Sequence, residues 1–261
     1  GCGSHTFGCG SHNYYYNVRA DLEGWYLIDH PNKGHPENPK RVFVYACNKP
    51  KDPEPPHAIS ISTQDRHSLA LTDMGSIVGW GDNLNHQIDI PVDLTNAKAV
   101  AAGGTFTLAI DNEDKVVGWG DNHRGQLNGN RLGQVKAIAA GTSHGLALTK
   151  DGRVLAWGGT DDGKYPKFDF GQGKVPESLK SIKVKAIAAG TAHSLVLTEE
   201  GQVIAWGSNS AGQCDIPDIK GTVKAISAKS NHNMALTGDG KVYVWGGPLS
   251  TNLMFRKGWA R

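Results

Sequence analysis

Most of the usual routes to chemistry or to membranes are missing from this sequence. Cysteine is scarce: four in 261 residues (Cys2, Cys9, Cys47 and Cys214), too few and too scattered for a disulfide framework. No apolar run approaches the roughly 20 residues needed to cross a bilayer, which excludes membrane insertion. Neither charge sign prevails. The 27 Lys and Arg stand against 25 Asp and Glu, a net charge of +2, and no Lys/Arg cluster is longer than two, which argues against a nucleic-acid surface. No Asn-x-Ser/Thr acceptor occurs, so eukaryotic secretion gains no support. Gly103-Gly104 and Gly158-Gly159 read as turn glycines, and nothing resembles a phosphate loop. No nucleophile motif of the Gly-x-Ser-x-Gly kind stands on a strand-to-helix turn, since no helices are expected.

What is present is a phrase, Trp-Gly, at a nearly fixed interval. It occurs at Trp80, Trp119, Trp157, Trp206 and Trp245, in steps of 39, 38, 49 and 39 residues. A self-similar period near forty marks a protein built from stacked supersecondary units. In the copy from Val184 to Pro217, three apolar runs of strand length lie between Gly, Ser, Thr and Asn punctuation: Ala186–Ala189, Ser194–Leu197 and Val203–Trp206. Glu200-Gly201 supplies a tight turn. The stretch from Asn209 to Gly212 supplies another, leading to an expected short edge strand near Ile216-Pro217, where no ladder donor is needed.

Each unit therefore predicts a four-stranded antiparallel blade, and the chain a single closed all-β propeller spanning residues 1–261. Small Ala and Gly residues fit inner strands crowded toward an axis, and the Trp fits as filler between adjacent blades. Arg41 to Asn48 aligns without gaps to Gln202 to Asn209, with Tyr45 in the Trp place, and Phe7 to His12 resembles Ile187 to His193. Six units follow, near 1–56 (diverged), 57–91, 92–130, 131–183, 184–217 and 218–261, so the ring has six blades, or seven if the tail Met254–Arg261 joins the N-terminus.

Gly141-Thr142-Ser143-His144-Gly145-Leu146-Ala147-Leu148-Thr149, and the stretch Gly201 through Gln213 carrying Trp-Gly-x-Asn-x-x-Gly-Gln, resemble the regulator of chromosome condensation repeat. The resemblance covers residues 57 to 247 well and 7 to 56 weakly. The ending Gly-Gln-x-x-(Ile/Val)-Pro, at Gly212 to Pro217 and Gly171 to Pro176, is most similar to bacterial members, among them secreted β-lactamase inhibitors of the propeller type. The family includes exchange factors for a nuclear GTPase, ultraviolet receptors, enzyme inhibitors and bacterial effectors, which act mainly through loops on one face. The resemblance thus implies a non-enzymatic protein-binding scaffold without cofactor, and no particular partner.

Two insertions depart from the repeat. Gly158 to Pro176 is eight residues longer than Gly207 to Pro217, and carries Lys164, Tyr165, Lys167, Phe168 and Phe170. Aromatics among charges on a long turn are the expected partner-binding set, against packing over the blade edge. The second insertion, Asn17 to Lys40, carries Trp25 and Tyr26; packing against its own blade is the favoured reading, with a secondary surface as the alternative. Cys2, His5, Cys9 and His12 are a weak candidate metal set, because Cys9 and His12 already fit a first-blade strand. The repeated His67, His144, His193 and His232 suggest a ring of ligands or bases. Phe106 stands in the same place, however, so a structural hydrogen bond to the strand turn is the better account.

Three functions remain open. The first is an exported or cell-surface protein-binding propeller acting as inhibitor, adhesin or assembly component. The second is a propeller lectin, and the third an exchange factor or effector on a small GTPase. A start at Gly1 without Met fits a cleaved leader or a cut in the chain, and a cytoplasmic placement is the alternative. The first turns read Thr105, Thr142-Ser143, Thr191-Ala192 and Ser230-Asn231, a small neutral set without the aromatics of a β-lactamase contact surface or a blade-wise sugar code.

Overall fold

The structure, a computed structural model, describes residues 57–159 and 169–247, together with the backbone of two short strands, β1 (Val18–Ala20) and β2 (Tyr26–Ile28). The chain falls into two compact units, Gly1–Pro55 and Pro56–Arg261. In the first, β1 and β2 pair as an antiparallel hairpin. The expected first-blade strands at Phe7–His12 and Arg41–Asn48 lie outside the described residues, as do Cys2, His5, Cys9, His12 and Trp25 and the side chain of Tyr26.

The second unit is built of five antiparallel sheets, each of three consecutive strands. They are β3 (Ala58–Gln64), β4 (His67–Thr72) and β5 (Ile77–Gly81); β6 (Ala99–Ala102), β7 (Phe106–Ile110) and β8 (Val116–Gly120); β9 (Val135–Ala140), β10 (His144–Thr149) and β11 (Val154–Gly158); β12 (Val184–Ala189), β13 (His193–Thr198) and β14 (Val203–Gly207); and β15 (Val223–Lys229), β16 (His232–Thr237) and β17 (Val242–Gly246). One 3-10 turn, Glu177–Leu179, is the longest helical piece among the described residues. The all-β expectation is met.

Two parts of the expected fold are corrected. The blades have three strands, not four. After the third strand many backbone donors are taken up within turns, and the returning segment of the second sheet makes an isolated pair with β8, Arg131 N to Val116 O and Val116 N to Leu132 O, both at 2.8 Å. In the fourth sheet Cys214 N donates to Asn209 Oδ1 at 2.7 Å, Ala211 N to Gln213 Oε1 at 2.8 Å, and Ile216 N to Cys214 O at 3.1 Å. The segment toward Pro217 is a chain of side-chain-closed turns. Nor is a closed propeller found: among the described residues every strand pairs only within its own sheet, none of the sheets is closed, and no ladder joins the fifth sheet to the first. Closure was expected from strands in residues 1–7 and 250–261, which lie outside the described residues.

The first strands of successive sheets lie side by side in sequence order, β3 to β6 to β9 to β12 to β15. Together they line a cavity of about 260 Å³, walled by residues such as Ala101, Ala139 and Ala189 with Ser62 and Ser227. Lys229 Nζ reaches from β15 to Thr63 O on β3 at 3.1 Å. The apolar core is correspondingly not one mass but four slabs, one in each seam between neighbouring sheets. The seam of the second and third sheets, for example, holds Phe106, Leu108 and Ile110 against Val135, Ala147 and Trp157. Trp119, Trp206 and Trp245 end the other three slabs, as the filler reading requires.

Candidate protein-interaction face

Antiparallel pairing puts the first turn of each sheet and the segment after its third strand at one end, and hydrogen bonds tie the two together. Asp82 N donates to Arg66 O at 2.9 Å, Asp121 N to Thr105 O at 3.0 Å, Gly159 N to Ser143 O at 2.7 Å, and Ser208 N to Ala192 O at 2.8 Å. The first turns are also tied to one another, through Gly104 N to Thr142 O (3.2 Å), Thr142 N to Thr191 O (3.2 Å) and Thr191 N to Ser230 O (2.8 Å). Backbones this close leave no room for large side chains at Gly104, Thr142 and Thr191, whereas the first turn of the first sheet, Asp65-Arg66, carries charge.

The third turns are held from beneath by the Gln of the Gly-Gln motif, whose role the sequence did not reveal. Gln87, Gln126, Gln172 and Gln213 are all buried. Each side-chain Oε1 accepts a turn amide: Asn85 N at 2.9 Å, Arg124 N at 2.7 Å, Phe170 N at 2.8 Å and Ala211 N at 2.8 Å. Each backbone carbonyl accepts the indole N–H of the next sheet's Trp: Trp119 on Gln87 O (3.0 Å), Trp157 on Gln126 O (2.7 Å), Trp206 on Gln172 O (3.1 Å) and Trp245 on Gln213 O (3.1 Å). A single residue thus closes its own turn and anchors the neighbouring sheet. A polar amide seven positions after the Trp, in Trp80/Gln87, Trp119/Gln126 and Trp206/Gln213, was the available signal.

The repeated histidines are structural, but their partners are side chains of the next sheet and not the backbone of their own turn. His67 Nε2 meets Thr107 Oγ1 at 2.9 Å, His144 Nε2 meets Ser194 Oγ at 3.1 Å, and His193 Nε2 meets Asn233 Oδ1 at 2.7 Å. Thr107 and Ser194 give their own protons to Gln87 O and Gln172 O, and Asn233 Nδ2 donates to Gln213 O. All three histidines must therefore donate from Nε2, which leaves Nδ1 a bare, buried lone pair without a partner. The Cε1 and Nδ1 atoms of the ring lie against the glycine three residues earlier: a Cβ on Gly141 or Gly190 would sit 2.2 or 2.0 Å from the imidazole Cε1 of His144 or His193. That contact explains the Gly-x-x-His spacing.

The exception completes the rule. Where Phe106 replaces His, the residue of the next sheet equivalent to Thr107, Ser194 and Asn233 is Gly145, so no polar side chain is stranded. A Cβ on Gly145 would meet Trp157 at 2.4 Å.

Burial holds these imidazoles neutral. The pKa of His144 is lowered to about 3 by desolvation, with His193 adding repulsion. His193 is lowered by desolvation, and His67 likewise, although Asp82 works in the opposite direction there. The letters Gly141-Thr142-Ser143-His144-Gly145 sit on a strand-to-strand turn. The His144–Ser194 pair has the spacing of a base and nucleophile, but both residues are fully buried, the Ser proton is committed to Gln172 O, and no carboxylate meets Nδ1. The Cys214 thiol is pushed up to about 11 by burial and by Asp215. Among the described residues no three His, Cys, Asp or Glu side chains are grouped to hold a metal.

On the face itself, Asp121 accepts from Thr105 Oγ1 at 3.1 Å, from Gln126 Nε2 at 3.0 Å and from the backbone and ring of His123. Burial opposes its charge, and these bonds outweigh burial and lower its pKa. Leu84 in the first sheet's third turn is 82% exposed and Phe170 in the third sheet's is 45% exposed. Lys164, Tyr165, Lys167 and Phe168 lie outside the described residues. Phe170, described where the other residues of that loop set are not, lies in the third turn of the third sheet.

Four stretches, 97–126, 135–164, 184–213 and 223–249, match the Regulator of chromosome condensation (RCC1) repeat. The chain thus carries RCC1 repeats between residues 97 and 249, as its motifs indicated. Among solved structures it is similar to human WBSCR16, with a TM-score of 0.63, 19% identity, and coverage of 76% of this chain and 67% of that one. It is also similar to Prp20p from Saccharomyces cerevisiae, described with its binding to Gsp1p and histones, with a TM-score of 0.60, 22% identity, and coverage of 76% and 62%. Yeast RCC1 (Prp20) bound to Kap60 gives a TM-score of 0.61 and 21% identity over 91% of this chain and 71% of that one. At these identities the likeness is one of fold, and the chain spans about two thirds of the WBSCR16 and Prp20p chains. No curated protein sequence matches it significantly. No helix among the described residues is long and apolar enough to cross a membrane.

Proposed function

We propose that the chain is a non-enzymatic protein-binding scaffold whose contact surface is the end of the sheets carrying the first and third turns. The observation that carries this is the pairing of rigid turns with exposed apolar tips. The Gln carbonyls and amides fix the turn backbones, while Leu84 and Phe170 stand out of them into solvent. Pre-ordered apolar side chains lose little entropy on binding, and such anchors carry most interface energy. The yeast protein of similar fold binds other proteins, which supports the class of activity without naming a partner here.

Placement outside the cell belongs to the same proposal, supported by the likeness of the Gly212–Pro217 ending to bacterial members. In the test, the immobilised chain captures partners from its native source beside two variants. Leu84→Asp with Phe170→Ala should weaken retention at least ~tenfold, or ~1.4 kcal/mol. Met74→Asp, on an exposed second turn at the other end, should not. Equal retention by all three proteins would reject the face.

A further inference from the structure

We propose that the seams between sheets form a graded acid-sensitive latch, in which mild acid loosens the His67–Thr107, His144–Ser194 and His193–Asn233 contacts and spares Phe106–Gly145, so that the second and third sheets stay joined while their neighbours part. The inference stands on the geometry of four equivalent seams, three polar and one apolar, and is independent of the reading of the contact face.

In each polar seam the histidine already spends its one proton on the next sheet, through Nε2. A second proton can enter only at Nδ1, which is buried without a partner and, in His144 and His193, lies against the glycine backbone, within 2.4 and 2.5 Å of where a Cβ of Gly141 or Gly190 would be. An imidazolium there would be an unpaired buried charge, so protonation is coupled to withdrawal of the ring from the seam.

The groups facing the rings grade the response. His144 faces His193 in the adjoining seam, whose charge disfavours a proton on it while a backbone hydrogen bond from His193 works the other way. His193 otherwise meets the neutral amide of Asn233. His67 faces the carboxylate of Asp82, itself 3.7 Å from Arg66, and this softens the cost of a proton. The sign follows from depressed native pKa values: the closed seams bind fewer protons than the open ones. Closure therefore weakens as pH falls below 6.5, and the loss continues toward about 3 for His144. The Phe106–Gly145 seam holds no histidine; the exposed ion pair that also joins its sheets, Lys150 to Asp114, holds that carboxylate below its ordinary range, so it stays charged in mild acid and this seam does not share the dependence. An opened seam also loosens the turn behind it, because Thr107, Ser194 and Asn233 share with the Trp indoles the carbonyls of Gln87, Gln172 and Gln213.

Backbone hydrogen exchange of the whole chain, corrected for intrinsic rates, tests this at neutral pH and at about pH 4.5. Amides of β12 to β17 should lose at least about tenfold in protection, and those of β7 and β10 should retain theirs. Transplanting the apolar pair, His144→Phe with Ser194→Gly, should restore acid protection to β12 and β13 alone. Uniform loss across all five sheets, or no loss in any, would overturn the proposal. If the variant does not fold, the wild-type pattern decides by itself.

Discussion

Trp80 and Trp206 occupy the same place in their repeats, the fourth residue of a third strand in a three-stranded sheet, yet Trp80 is 56% exposed and Trp206 is 8% exposed. The ladders beneath them are alike: Trp80 pairs with Ser68 as Trp206 pairs with Ser194. What differs is the preceding repeat. Trp206 has Gln172 O to donate to and a slab of Leu146, Leu148 and Val196 around it, whereas Trp80 has no such carbonyl among the described residues. A sheet of this kind does not bury its own Trp. The unit of stability is the seam between two sheets, as expected of repeat architectures whose stability is a sum of neighbour terms.

The comparison can be broken most directly by truncation. Trp206→Ala should cost about 3–5 kcal/mol in urea unfolding, while Trp80→Ala should cost about 0.5 kcal/mol or less. Equal losses would mean that the Trp stabilises its own sheet and not the seam. A smaller effect separates polar matching from packing. Phe106→His sets an imidazole against Gly145, which offers no acceptor, and should cost about 1–3 kcal/mol by the same measurement. No loss would show that the His contacts are incidental to a seam held by apolar area. Smallest of all, Trp80→Phe should remove an acrylamide-quenchable component from the fluorescence and leave the unfolding midpoint in place; Trp206→Phe should leave that component intact.

Much of this was legible in the sequence. The Trp-Gly interval located the sheets, the Gly, Ser, Thr and Asn punctuation located the turns, and Phe106 at a His position ruled against a ligand ring. The strand count was not legible. A short apolar pair such as Ile216-Pro217 reads the same whether its backbone is in a ladder or folded into turns, and the deciding groups are the amide oxygens of Asn209 and Gln213 two to five residues away. Closure was not legible either, because a period near forty says that neighbours stack but not that the last meets the first. The His partners were hidden for another reason. The residue after each His (Ser68, Thr107, Gly145, Ser194, Asn233) varies, and its meaning lies in the preceding repeat, 40 or 50 residues away.

That pairing across repeats has a bearing on how such a chain can grow. A tandem copy of residues 184–217 would set His193 against a second Ser194, an acceptor of the kind His144 already uses, and the lengthened stack would stay fully bonded. A tandem copy of the second repeat would set Phe106 against Thr107, whose hydroxyl would lose the His67 proton it now receives. Near-identical modules are thus not interchangeable bricks. Each carries on one side a key cut for the lock behind it, and duplication is open at the fourth position and closed at the second.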